Sequence, residues 1–340
     1  MKYRPLADTG VFVSELCLGA MTFGGRDGMW EVIAGLDQKA VDEIVHRAID
    51  AGINFIDTAN VYAAGESETM LGRALGARRK DIVLATKARG RMSPAPNDVG
   101  LSRLHITRAI DASLARLGTE YIDLYQIHRF DPLTNMEDTL RALDDLVRAG
   151  KVRYIGCSNL AAWQLMKALA ISRDQRLERF RCTQSYYSLV GRDLEREMIP
   201  LLQDQGLGLL VWSPLAGGFL SGKFTRTTGD EAARRAKFDF PPLNKEKGFD
   251  VLDALTKVAA RHGASVPQIA LAWILAKPSV TSVIIGARKL PQLDDNLKAI
   301  DVALTPEDLQ ALDDVSKLTP EYPEWMNLLG ADRRPGERRY

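Results

Sequence analysis

Four residues able to do acid–base chemistry stand at the ends of apolar stretches. Asn54 to Tyr62 reads NFIDTANVY, an apolar pair, Phe55 and Ile56, that delivers a carboxylate, Asp57, and five residues on a phenol, Tyr62. Ile82 to Ala88 (IVLATKA) carries Lys87 at its end, and Ile122 to His128 (IDLYQIH) closes on His128. Apolar strands normally run into Gly, Asn or Ser; a charge at a strand end must face water, a partner or a site. Each residue taken singly also reads as a strand-end solvating group. Together they do not, because an unpaired Lys after VLAT or His after LYQI costs about a few kcal/mol. The types make a coherent set. A phenol with a pKa near 10 is a poor acid at neutral pH unless a cation stabilises its phenolate. Lys87 can be that cation, Asp57 would hold it charged and oriented, and His128 would be a donor from the facing strand.

The rest of the chain supplies elements to position them. Apolar strand cores begin near Ser14, Asn54, Ile82, Ile122, Val152, Phe180, Leu207 and Thr281. Amphipathic stretches lie between or after them at Gln38–Asp50, Ser67–Gly76, Arg103–Leu117, Met136–Ala149, Ala161–Ile171, Arg192–Gln203, Pro267–Ala276 and Gln292–Ala299. Gly52, Gly118, Gly150 and Gly206 each follow a helix and precede a strand, as left-handed C-caps do. Strands alternating with helices predict an α/β fold, a (β/α)8 barrel of the TIM type, whose strand ends converge on one face. Residues 1–12, with Asp8-Thr9-Gly10 as a turn, read as a short N-terminal β-hairpin plugging it. Ala216–Gly248, polar and punctuated by Gly and Pro, reads as a long lid loop after the seventh strand. A doubly wound open sheet is the runner-up, but AMTFGGRDGMW after the first strand fits no dinucleotide fingerprint.

Composition narrows the function classes. The 340 residues are 46% hydrophobic and 26% charged with a net charge of +1. This describes one ordinary globular domain over residues 1–340, with no basic stripe for nucleic acid. No apolar run is long enough for a membrane span and no leader is legible, so a cytoplasmic protein is expected. Cys17, Cys157 and Cys182 read as small buried thiols, not a disulfide framework or a zinc site. The four histidines form no paired metal motif.

The motifs FIDTANVYAAGESETMLGRAL, LATKA, LSRLHITRAIDASLARLGTEYIDLYQIH, IGCSN, QSYYSLV, VWSPLAGG and VIIGARKLPQLDDNL resemble the aldo-keto reductase superfamily over essentially the whole chain. The resemblance implies an NADPH-dependent reductase of small-molecule carbonyls, aldehydes and ketones, with a catalytic tetrad at Asp57, Tyr62, Lys87 and His128. Hydride addition to a carbonyl leaves negative charge on oxygen, which needs a proton donor and preorganised hydrogen bonds.

The resemblance also implies cofactor contacts at Gly19, Met21 and Asp57. Ser158, Asn159 and Gln184 would hold the carboxamide and Trp212 would stack on the nicotinamide, leading into Ser213, Pro214 and Leu215. Gly217 to Phe224 nearly spells a nucleotide-triphosphate loop, but Phe224 stands where a Mg²⁺-binding Ser or Thr belongs, so Gly217 and Lys223 are expected to close over a pyrophosphate. Gly286, Arg288, Gln292, Asp295 and Asn296 resemble the adenosine-phosphate segment, with Gln292 where many relatives carry Arg. Met29, Trp30, Phe130 and parts of the lid are the candidate substrate walls. Two rivals remain open: a nucleotide-binding, redox-sensing regulatory subunit with little turnover, and a barrel lyase using Lys87 as a Schiff base.

Overall fold

Tyr3–Pro5 (β1) and Phe12–Ser14 (β2) pair antiparallel around the Asp8-Thr9-Gly10 turn. The computed structural model describes residues 1–25, 29–226 and 234–328. After the hairpin come Leu16–Gly19 (β3), Met29–Ile33 (α1), Gln38–Asp50 (α2) and Phe55–Asp57 (β4). Glu66–Leu75 (α3), Val83–Ala88 (β5), Arg103–Leu117 (α4) and Ile122–Ile127 (β6) follow. Met136–Arg148 (α5), Val152–Ser158 (β7), Ala162–Gln175 (α6) and Phe180–Tyr186 (β8) continue the alternation. Met198–Gln205 (α7) and Gly208–Trp212 (β9) lead to an excursion holding Arg234–Lys237 (α8), Lys245–His262 (α9) and Val266–Leu275 (α10). Ser282–Ile285 (β10), Leu290–Leu297 (α11), Pro306–Ser316 (α12) and Glu324–Leu328 (α13) complete the described chain.

β3 to β10 form a closed parallel barrel, with β10 hydrogen-bonded to both β9 and β3. The fold is therefore a (β/α)8 barrel with a hairpin in front, and the open-sheet alternative is excluded. The hairpin delivers Leu6 and Val13 into the bore, where they join Cys17, Phe55, Leu124, Cys182 and Leu210 in a dry cluster. A larger apolar layer lies between the strands and the surrounding helices.

Local chemistry fixes the element ends. Ser102 caps α4 by accepting the His105 amide at 3.2 Å, and Gly118 ends it at φ 62°. Ser265 and Gln268 form a reciprocal capping box on α10, with Pro267 in its first turn.

Three expectations change. Ser14 belongs to the hairpin, so the first barrel strand starts at Leu16. The helix expected from Arg192 breaks into a turn at Asp193–Glu195 and α7 from Met198. Pro200 is tolerated in the first turn of α7 but would fall inside a helix begun at Arg192. The lid expected over Ala216–Gly248 is not all loop. It contains a turn at Ala216–Ser221 and α8, and its last residues belong to α9, whose first turn is capped by Asn244 on the Lys247 amide. Residues 227–233 of that stretch lie outside the described residues. All three cysteines are buried and free.

α3 carries the turn behind Tyr62, and it packs against α4 through Gly72. A Cβ built there would sit 2.4 Å from the Leu117 carbonyl oxygen. Gly-to-Ala in a helix interior ordinarily gains about 1 kcal/mol. Here the clash with rigid backbone reverses the sign, and Gly72→Ala is expected to lose roughly 1–3 kcal/mol. The midpoint of urea unfolding checks this; a midpoint at or above that of the parent protein would mean the helices separate without cost.

Candidate active site

The four residues read from the sequence meet at the C-terminal mouth of the barrel. Asp57 ends β4, Lys87 is next to last in β5, His128 follows β6, and Tyr62 opens a turn after β4. The Lys87 Nζ donates to Asp57 Oδ2 at 2.6 Å, to the Thr58 carbonyl at 2.8 Å and to the Tyr62 hydroxyl at 3.4 Å. Three acceptors saturate an ammonium group. Lys87 has no exposed surface and Asp57 is 3% exposed. Burial is the strongest single influence and opposes the Lys87 charge, but the Asp57 carboxylate and Tyr62 hydroxyl together, by charge and hydrogen bond, outweigh it and lift the lysine above its ordinary pKa.

Asp57 is held from the opposite side. Its Oδ1 accepts from Gln184 Nε2 at 2.8 Å and Gln126 Nε2 at 3.0 Å, drawing β8 and β6 onto one carboxylate. Gln126 is a member of this cluster that sequence reasoning passed over. The signal was present: a buried amide inside IDLYQIH, two residues before His128.

Tyr62 departs from expectation in one respect. Burial raises its pKa, and the Lys87 charge pulls the other way without prevailing. The phenol is therefore held neutral with its proton in place. The backbone of its turn is strained, with Ala63 at φ 48° and Ala64 at φ 52° before Gly65 at φ 99°. Ser67 donates to the Ala20 carbonyl at 2.7 Å, so the Thr58 hydroxyl must donate to Ser67 at 2.8 Å, tying the two ends of the segment.

His128 stands edge-on to Tyr62, ring centroids 5.7 Å apart, and Trp30 approaches the phenol at 6.0 Å. Burial, then Lys87, Arg129 and Arg89, push the imidazole down to about 3. It is neutral at physiological pH and donates through only one nitrogen. Phe130 meets Trp163 edge-to-face at 6.4 Å, which adds Trp163 to the candidate walls. The side chain of Met29 lies outside the described residues.

The candidate cofactor residues line the same mouth. Gly19 faces Asp57 in register, and a Cβ there would lie 2.7 Å from Ile284 Cγ2; Met21 follows half-buried. Ser158 donates to the Gln184 carbonyl at 2.8 Å. Asn159, at φ 56°, donates to the His128 carbonyl at 3.0 Å and accepts from Trp212 Nε1 at 3.0 Å. Trp212 leans on Tyr186 at 5.2 Å and lies parallel to Phe240 at 5.9 Å, two rings the sequence reading did not single out.

Ser213, before Pro214, has φ 51° and accepts the Gly217 amide at 2.9 Å; Leu215 accepts from Gly218 at 3.0 Å. Arg235 pins this turn by donating to the Ala216 and Pro241 carbonyls, both at 2.6 Å. Lys223 is exposed.

At the end of β10 a Cβ on Gly286 would meet open space. The Arg288 amide donates to Gln292 Oε1 at 2.9 Å, and its exposed guanidinium reaches the Val32 carbonyl at 3.4 Å. Asn296 is buried and donates to the Gly286 carbonyl at 3.5 Å. Both oxygens of Asp295 accept from the start of α10, one from its N-cap Ser265 at 2.8 Å and one from Gln268 at 2.7 Å. Its carboxylate is thus committed to holding α10.

Backbone strain marks the same place. Of eight non-glycine residues with positive φ among the described residues, Ala63, Ala64, Arg89, Asn159, Ser213 and Ala216 lie at this mouth. Such conformations cost about 1–3 kcal/mol each and cluster where ligands are held.

Residues 15–317 are matched by the model of the Aldo/keto reductase family. The chain belongs to that family. It is 39% identical to an uncharacterized oxidoreductase, YrpG, of Bacillus subtilis over 96% of this chain and all of that protein. It is 35% identical to the versiconal hemiacetal acetate reductase of Aspergillus parasiticus, over 92% and 96% of the two chains. It is 37% identical to a probable voltage-gated potassium channel subunit beta of Arabidopsis thaliana, over 95% and 99%. Family and relatives together make the chain an oxidoreductase of the carbonyl-reducing type.

With its pKa near 3 in place of 6.5, His128 is expected to stay neutral down to pH 5. Between those two values the unfolded chain binds this proton and the folded chain does not, so acid favours unfolding there. Nitrogen-15 NMR of the imidazoles, assigned with a His128→Asn variant, checks it. A His128 signal titrating near pH 6.5 would mean the ring is solvated and uncoupled from Lys87.

Proposed function

We propose that the chain is an NADPH-dependent reductase that converts aldehydes and ketones to alcohols in the cytoplasm. The observation that carries this reading is the buried Lys87 ammonium shared between the Asp57 carboxylate and the Tyr62 hydroxyl. Such a group places an intact proton donor beside a fixed positive charge, which is what a carbonyl oxygen gaining electrons requires. Among the described residues no cluster of side chains could hold a metal ion and no helix is long and apolar enough to cross a membrane.

The residues at the mouth suit a nicotinamide dinucleotide. Ser158, Asn159 and Gln184 offer polar atoms to a carboxamide, Trp212 offers a ring face, and the Ser213–Gly218 turn presents glycine backbone that a pyrophosphate can approach closely. Gly286 leaves room beside Arg288 for the adenosine end. When bound, the cofactor supplies the hydride. Tyr62 gives its proton to the carbonyl oxygen, Lys87 stabilises the phenolate left behind, and Asp57 keeps Lys87 charged and aimed. His128, neutral, donates one N–H to the same oxygen and so fixes the carbonyl. Trp30 and Phe130 form apolar walls for the substrate.

A regulatory reading has support of its own in the relatives named as potassium channel beta subunits. The two readings part on turnover: steady-state NADPH oxidation with an aldehyde and ketone panel supports the enzyme, while tight NADPH binding without turnover supports the subunit.

Two outcomes follow. Tyr62→Phe is expected to lose roughly 10² to 10⁴ in turnover while still quenching NADPH fluorescence on binding; undiminished turnover would remove the phenol from the mechanism. Arg288→Ala is expected to weaken NADPH by about 10- to 150-fold, one charge-assisted bond to the 2′-phosphate, and to leave NADH nearly unchanged. Equal weakening of both cofactors would instead assign Arg288 to the adenine.

A further inference from the structure

Two cations flank His128 with no carboxylate hydrogen-bonded or ion-paired to either among the described residues. Ala88 pairs with Ile127 across β5 and β6, and the His128 amide donates to the Ala88 carbonyl at 2.9 Å. Arg89 therefore stands beside His128 at the mouth, and Arg129 is the next residue along. No hydrogen bond or ion pair is made by the side chain of either arginine among the described residues, and the buried Nε of Arg89 has no acceptor at all. Arg89 is also partly buried and held at φ 130°, a strained position for a side chain that only needed solvent.

The nearby carboxylates do not neutralise them. Asp131 accepts from the Leu101 amide at 2.7 Å, the Leu133 amide at 3.1 Å and the Thr134 hydroxyl at 2.7 Å, so its oxygens hold the β5–α4 and β6–α5 loops together and it acts on Arg89 through its charge alone. Asp57 is spent on Lys87. Counting Arg89, Arg129 and Lys87 against Asp57 and Asp131 leaves this side of the mouth with one net positive charge. Both guanidiniums act on the imidazole that would hold the carbonyl, and Arg89, lowered first by burial, is pushed further down by Arg129 and held up by Asp131. A guanidinium presents a rigid fork of donors that matches a carboxylate or phosphate.

We propose that Arg89 and Arg129 are specificity-determining residues that bind an anionic group on the substrate, making the preferred substrates aldehydes or ketones that carry a carboxylate or phosphate near the carbonyl. The inference rests on the reductase reading given above and deepens it. The carbonyl sits between Tyr62 and His128, and the anion reaches back over the β5 and β6 ends. Charge on the substrate then does two things: it orients the carbonyl, and it supplies the missing counter-ion to two cations that the fold leaves unpaired.

The test compares matched substrates with the full-length protein and saturating NADPH. 4-Carboxybenzaldehyde is set against its methyl ester, and succinic semialdehyde against butanal, with 4-nitrobenzaldehyde as a neutral reference. The expected result is a kcat/KM at least about tenfold higher for each acid than for its neutral partner, carried mainly by KM and shrinking as salt rises. Arg89→Gln, Arg129→Gln and the double variant are expected to bring the acid-to-neutral ratio toward one. Rescue by lysine at either position should be partial, since an ammonium lacks the fork. Equal kcat/KM for acids and neutral partners, or variants that lower both equally, would overturn the proposal while leaving the reductase reading intact. No NADPH oxidation with any of the five carbonyls would overturn the reductase reading itself. Glyceraldehyde 3-phosphate run beside glyceraldehyde tells a phosphate preference from a carboxylate one.

Discussion

The structure depends on a lysine and an aspartate taken out of water together. Each ion alone would cost several kcal/mol to bury, and removing either partner of such a pair costs about 3–5 kcal/mol because the other is left uncompensated. The pair survives because every polar valence around it is filled. The three protons of Lys87 go to Asp57, the Thr58 carbonyl and Tyr62, while the free oxygen of Asp57 takes amides from Gln126 and Gln184. Those groups come from β4, β5, β6 and β8. Only a closed barrel brings the fourth of them across to the first two, so closure and the buried charge are one constraint seen at two scales.

That constraint also bears on the acid proposed above. The Lys87 charge is drawn to Asp57 at 2.6 Å and reaches Tyr62 only at 3.4 Å. Burial therefore dominates the phenol and keeps its proton on. The cation is in position for the moment charge appears, without ionising the acid beforehand. The cost is visible nearby. Ala63 and Ala64 are left-handed, and Asn60, fully buried between Asp57 and Tyr62, has no partner for either amide atom. Unsatisfied buried groups cost about 1–3 kcal/mol, and here the cost falls in the segment that must hold a phenol against a lysine.

Much of this was legible because the chemistry sits in strands, where an off-pattern residue stands out. Asp57 after Phe55-Ile56, Lys87 after Leu84-Ala85-Thr86 and His128 after Ile127 each interrupt an apolar run, and β6, β7 and β8 begin on the residues their sequence announces. The helix Lys245–His262 was missed whole: its first turn, Lys-Glu-Lys-Gly, reads as lid, and the apolar face that follows, Val251, Leu252, Leu255, Val258 and Ala259, was assigned to no element. Gln126 and Gln184 were harder in another way. A glutamine inside a strand has no fixed meaning until the barrel closes and shows that both amides converge on one carboxylate.

The two ends of the barrel are built for opposite purposes. At the N-terminal end the hairpin fills the bore with Leu6 and Val13, clustered with Phe55, Leu124 and Leu210. Burial there pushes the Cys17 thiol well above its ordinary range. At the C-terminal end, strained loops carry the polar side chains. The dry floor matters to the wet mouth because a charge pair is stronger in a low effective dielectric. Letting water into the bore would weaken the hold of Asp57 on Lys87 without touching either residue. The plug hairpin, remote from every residue that could meet a substrate, is in this sense part of what sets the acid.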